Sequence, residues 1–127
     1  MKETPLCINF QRFGGYLLAP DEVVLFEWFL FKQNCFGVHR SFHYSKPRIE
    51  ADTRIGRRRQ EAIIEKFQKI GFLMCVNIHD SQKGSLTRNF RIDYNVLSKD
   101  EVLTQIIDKD SVLYASCKKY IESVCPF

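Results

Sequence analysis

Gly56-Arg57-Arg58-Arg59-Gln60-Glu61-Ala62-Ile63-Ile64-Glu65-Lys66-Phe67-Gln68-Lys69-Ile70-Gly71-Phe72-Leu73 is the stretch on which the fold turns. Ile63, Ile64, Phe67 and Ile70 recur at three- and four-residue spacing, which gathers them into one apolar stripe along a helix. Gly71 follows where a helix end favours a left-handed backbone, so a helix is predicted over 57–70. Its first turn holds three arginines in succession. Helix N-termini already carry the positive end of the macrodipole, so these cations oppose it and bring no local structural gain.

Upstream, Ser45 is a candidate N-cap for a helix of about two turns ending near Asp52, followed by a turn over 53–56. Downstream, residues 72–78 form a β-rich apolar run, 80–85 read as a polar turn, and 86–94 alternate apolar and polar. That pair predicts a β-hairpin. Further out, Cys7-Ile8-Asn9-Phe10-Gln11-Arg12-Phe13 alternates like a half-buried strand and is broken by Gly14-Gly15. Pro20-Asp21-Glu22 opens a helix expected to run to Gln33 or Asn34, stopped by Asn34 and Gly37. His39 to Tyr44 reads as an irregular or extended connection. Ser98-Lys99-Asp100-Glu101 has a capping-box pattern opening a helix to about Ile107. A last helix is expected from Asp110 to Val124, with Leu113, Cys117, Tyr120 and Val124 as its stripe.

Two helices across a tight turn followed by a hairpin are the parts that set a second helix into a DNA major groove. Over residues 45–94 the chain resembles the winged helix-turn-helix superfamily. Gly56 takes the capping place, Arg57-Arg58-Arg59 the polar positions, Phe67-Gln68-Lys69-Ile70-Gly71-Phe72-Leu73 the helix-to-strand passage, and Thr87 to Tyr94 the returning strand of a wing. Helix two departs from the pattern, offering mainly Ile49 and Ala51 as apolar positions, and Gly56 stands in place of a Ser or Thr cap. The overall flavour is similar to replication initiators of plasmids and phages and to regulators of mobile elements. The resemblance implies an α+β, mainly α fold: a winged helix-turn-helix with an N-terminal strand, a β-hairpin wing and additional C-terminal helices. It divides the chain into a winged-helix domain over 1–97 and a C-terminal helical extension over 98–127 packed on the same domain.

Charge points the same way. Residues 32–69 carry ten basic side chains against four acidic ones, while the flanks are net acidic or neutral, so the whole excess of +4 lies in that middle stretch. A local basic patch implies a local anionic partner. Arginine's planar fork can take a phosphate, or guanine O6 and N7, at two points. At about 3.6 residues per turn, three consecutive side chains fan around the helix and cannot all meet base edges, so some grip phosphate. The candidate DNA contacts are Arg57, Arg58 and Arg59, with Lys46 and Arg48 at the start of the preceding helix and Arg54 in the turn. Lys83 and Arg88 are placed where a wing over 79–88 reaches the backbone or minor groove. The expected function is double-stranded DNA binding in replication initiation or transcriptional regulation of a mobile element. A protein-interaction module with an acidic partner is the alternative. The C-terminal stripe offers either a seam for a homodimer or packing within the chain.

The sequence offers nothing that points to an enzyme or a metal protein. His39, His43 and His79 lack metal-ligand spacing, and no nucleophile elbow, P-loop or dinucleotide motif occurs, so no catalytic residue, metal or cofactor is assigned. Five scattered cysteines without a close pair suit reduced thiols and a cytoplasmic location. The longest apolar run, Val23 to Phe31, is interrupted by Glu27 and is too short for a bilayer, so no membrane association is expected.

Overall fold

Helix α1, Pro20–Phe36, is the element around which the others pack. Pro20 occupies its first turn, and Glu22 folds back so that its Oε1 accepts from Ala19 N–H at 2.9 Å. In the computed structural model, which describes residues 14–80 and 85–124 and only the backbone over 76–80 and 85–87, Leu25, Phe26 and Phe29 are fully buried. Asn34 does not end the helix. Gly37 does, with φ of 112° and its N–H donating to Gln33 O at 3.0 Å.

The remaining order is β1 (Phe42–His43), α2 (Lys46–Thr53), α3 (Arg57–Ile70), β2 (Leu73–Asp80), β3 (Ser85–Ile92), α4 (Tyr94–Leu97), α5 (Asp100–Leu103) and α6 (Val112–Val124). The fold is mainly helical α+β with one small antiparallel sheet in the order β1-β3-β2. Register pairs Leu73 with Ile92 at one end of the hairpin and Asp80 with Ser85 at the other. The segment read as an irregular or extended connection supplies β1, whose Phe42 pairs with Phe90 and His43 with Asn89. Two residues are too few to show alternation, and the strand exists because β3 offers a free edge. The expected strand over 7–13 lies outside the described residues.

Helix α2 starts at the expected cap, Ser45 Oγ accepting from Arg48 N–H, and buries only Ile49; Ala51 is exposed. Thr53 then closes the turn, its hydroxyl donating to Ile49 O at 2.7 Å and accepting from Ile55 N–H at 3.2 Å. Helix α3 has the expected bounds, with Gly71 at φ 111° as its stop and Ile63, Ile64 and Phe67 in the core.

The C-terminal region departs from expectation. Of the single helix expected from Ser98 to Ile107 only the one-turn α5 forms; Ser98 instead closes the one-turn α4, and Lys99 precedes α5. Ile106 and Ile107 are fully buried. Their backbone meets residues 15–17, through Leu17 N–H to Ile106 O and Asp108 N–H to Gly15 O. On α6 the fully buried residue is Ile121, not Tyr120, which is 38% exposed; Leu113, Cys117 and Val124 pack half-buried against the same core.

Gln33 joins three parts of this fold. It has no solvent exposure, donates through Nε2 to Gly37 O and Arg40 O, and accepts at Oε1 from Ile92 N–H at 2.8 Å. Replacing Gln33 with Ala leaves the Ile92 N–H and Arg40 O without this partner, while Gly37 O keeps the Arg40 N–H. Chemical denaturation of Gln33→Ala is expected to show a loss of about 2–4 kcal/mol; a loss below about 1 kcal/mol contradicts this role.

Candidate nucleic-acid interface

Which side chains α3 presents follows from which ones it buries. Gln60, Ile63, Ile64 and Phe67 face inward. Gln60 sets the helix against its predecessor: its Nε2 donates to Lys46 O at 3.1 Å and Ile55 O at 2.9 Å, tying α3 to the start of α2 and to the turn. The opposite side carries Arg58, Ala62, Glu65 and Lys69, all exposed, with Arg57 and Glu61 beside them.

The three arginines therefore separate. Arg59 turns towards α1. Its Nε and Nη2 meet the two carboxylate oxygens of Asp21 at 2.5 and 3.0 Å, and Nη2 lies 3.3 Å from Glu22 Oε2. Lys66, two turns on, reaches Glu22 Oε1 at 2.9 Å. The Arg59 guanidinium holds the Asp21 carboxyl below its ordinary value. Burial by itself raises Glu22, but Lys66, the Ala19 N–H and Arg59 outweigh it and keep the carboxyl below its usual 4.5. Arg57 is loosely placed, 3.8 Å from Glu50 and with 62% of its side chain exposed. Arg58 is exposed, and no ion pair joins it to another described residue. Arg54, exposed and left-handed at φ 63°, caps α2 beside them.

The other candidates are partly engaged. Arg48 lays its guanidinium over the Tyr44 ring at 4.6 Å, and Lys46 pairs with Glu61. Arg88 lies over Phe90, 5.1 Å from the ring centroid, with 17% of its side chain exposed, and 3.7 Å from Glu61 Oε2. Lys83 lies outside the described residues. The structure thus brings Arg54, Arg57 and Arg58 together at the α2–α3 turn, opens a second cluster around Lys46 and Arg88, and gives Arg59 a partner in α1.

Two contributors escaped the sequence reading. Glu61 sits between Lys46 and Arg88, and Lys69 extends the exposed face of α3. Projecting residues 57–70 onto a helical wheel opposite the Ile63-Ile64-Phe67 stripe would have placed both. Among the described residues, no group of three or more His, Cys, Asp or Glu side chains is arranged to hold a metal ion, and no helix is long and apolar enough to cross a membrane. No protein-family model, curated protein or solved structure matches the chain.

The Asp21–Glu22–Arg59–Lys66 network has a pH signature. Both carboxyls have lowered folded-state values, so their stabilisation is complete above the ordinary carboxyl value of 4.5 and is lost as pH falls through the folded values. Urea midpoints measured from pH 6 to 2.5 should fall across that window, and Glu22→Gln should flatten the fall. Equal slopes for the two proteins would contradict the network.

Proposed function

We propose that the chain is a double-stranded-DNA-binding protein of the winged-helix type, with α3 in the major groove. Residues 1–97 form its winged-helix domain and 98–127 a helical extension packed on it. The arrangement α1-β1-α2-turn-α3-β2-β3, with β1 hydrogen-bonded to the far strand of the hairpin, supports this reading. The observation that carries it is the exposure of Arg57 and Arg58 on the first turn of α3, immediately after the α2–α3 turn. The unpaired N–H groups and dipole of that turn attract phosphate, and the guanidinium forks add bidentate contacts to phosphate or guanine. Arg54 stands at the backbone beside them, and the hairpin over 79–88 serves as the wing. A cytoplasmic role in replication initiation or transcriptional control of a mobile element suits such a protein.

The division among the arginines refines the expected contacts. Arg57 and Arg58 grip DNA, whereas the chief work of Arg59 is to lock α3 to α1. A second reading, a protein-interaction module, is favoured by one observation: Glu61 and Glu65 alternate with the cations on the exposed side of α3. A mixed-charge face suits a protein partner as well as a nucleic acid.

Titration of mixed-sequence duplex at two salt concentrations separates the readings. Arg57→Ala with Arg58→Ala should weaken binding by at least about tenfold and flatten the log–log salt slope by about 0.9 for each phosphate no longer neutralised. Unaltered affinity and slope would exclude the DNA reading and leave the protein partner. Arg59→Ala should instead lower the thermal midpoint, by the few degrees that about 1 kcal/mol represents in a domain of this size.

A further inference from the structure

A groove of about 930 Å³ lies between α2, α3 and the sheet, and among the residues lining it are His43, Lys46, Arg57, Glu61, Gln68 and Arg88. Its charged lining is three cations, Lys46, Arg57 and Arg88, set against Glu61 and Glu65 of α3. Glu61 Oε2 pairs with Lys46 Nζ and lies 3.7 Å from Arg88 Nη1, so one carboxylate oxygen faces cations from two different elements. The Lys46 ammonium, with Arg88 behind it, holds the Glu61 carboxyl below its usual range against the opposing effect of burial, so Glu61 is charged at neutral pH.

The grip is incomplete on both sides. Glu61 keeps 56% of its side chain exposed, so a competing anion has access to it. The three guanidinium nitrogens of Arg88 are shielded from solvent and find no oxygen acceptor at hydrogen-bonding distance among the described residues; the Cys75 thiol beside them is a weak acceptor, and 3.7 Å is too far for a hydrogen bond to Glu61. Buried donors without a strong acceptor are costly, so an oxygen-rich anion that takes the place of the Glu61 carboxylate gains donors that the carboxylate leaves unused. Exposed ion pairs are individually weak, which makes the carboxylate displaceable.

We propose that Glu61 is a built-in stand-in for DNA phosphate, neutralising Lys46 and Arg88 in the free protein and yielding them to a backbone phosphate on binding. The inference rests on the DNA-binding reading and adds to it a restraint on non-specific affinity. Phosphate charge alone has to compete with a resident carboxylate, so duplex that offers no further contacts is held weakly. Lys46 is then a conditional contact, engaged only once Glu61 has moved aside.

The test is a double-mutant cycle on mixed-sequence duplex with wild type, Glu61→Gln, Lys46→Gln and the double variant, each first checked for cooperative thermal unfolding. Glu61→Gln should raise affinity by about three- to tenfold and steepen the salt slope by about 0.9, the value of one further phosphate neutralised. Lys46→Gln should cost at least about threefold more in the Glu61→Gln background than in the wild-type one, a coupling expected only of neighbouring groups. If wild type binds and Glu61→Gln brings no gain, the stand-in is refuted while the DNA reading survives. If the gain appears but Lys46→Gln costs the same in both backgrounds, Glu61 acts only through general repulsion of DNA, and the stand-in is again refuted. Failure of both wild type and Glu61→Gln to bind duplex overturns the two readings together.

Discussion

Helix α3 has one rotational setting, and everything offered at the candidate interface depends on it. Phe67, fully buried, packs edge-on to Phe26 and Phe29 and tilts against Phe72. Gln60, also without exposure, binds two backbone carbonyls of the α2–turn segment. An apolar side chain there could fill the space but could not satisfy Lys46 O and Ile55 O. Rotating the helix by one residue would bury a charge in place of Gln60 or expose Ile63, and either is expensive. The setting is therefore unique, and it places Arg57 and Arg58 outside and Arg59 against α1.

Charge is then distributed by geometry and not by composition. The basic excess of the middle stretch suggests a uniform cationic surface, yet several of those cations have assigned partners. Arg59 and Lys66 bind the acids at the start of α1, where Asp21 and Glu22 also favour the helix dipole. Arg48 and Lys32 both lie against the Tyr44 ring, at 4.6 and 4.8 Å, and Lys32 also faces Asp52, which accepts from Trp28 Nε1. The field left for a partner is concentrated around Arg54, Arg57 and Arg58, with a second source at Lys46 and Arg88 held in check by Glu61. A concentrated field directs a ligand more sharply than a diffuse one of equal net charge.

The two middle helices, the turn between them and the hairpin were legible because their signals are local. Ser45, Gly71 and the three- and four-residue spacing of Ile63, Ile64, Phe67 and Ile70 depend on chain neighbours alone, and α2, α3 and the hairpin follow from them. What was not legible depends on distant partners. Strand β1 exists only because β3 lies beside it, and the helix expected from Ser98 stops short of Ile106 and Ile107, whose backbone meets residues 15–17. On α6, Tyr120 and Ile121 differ by one position in the sequence, and only the packed surface shows which faces inward. At the site, the arginine run was visible as a run, but its split was not: Arg59 and Asp21 are 38 residues apart. The exposed position of Glu61 follows from the α3 stripe, but its pairing does not, since both of its cations come from other elements.

The most direct measurement of the central claim is a map of backbone amide shifts when duplex DNA is added to isotopically labelled protein. With α3 in the major groove, the largest changes should fall on residues 54–62 and on the hairpin, while the amides of α1 and α6 stay close to their free positions. Changes centred on α1 or α6, or no change at saturating duplex, would contradict the account.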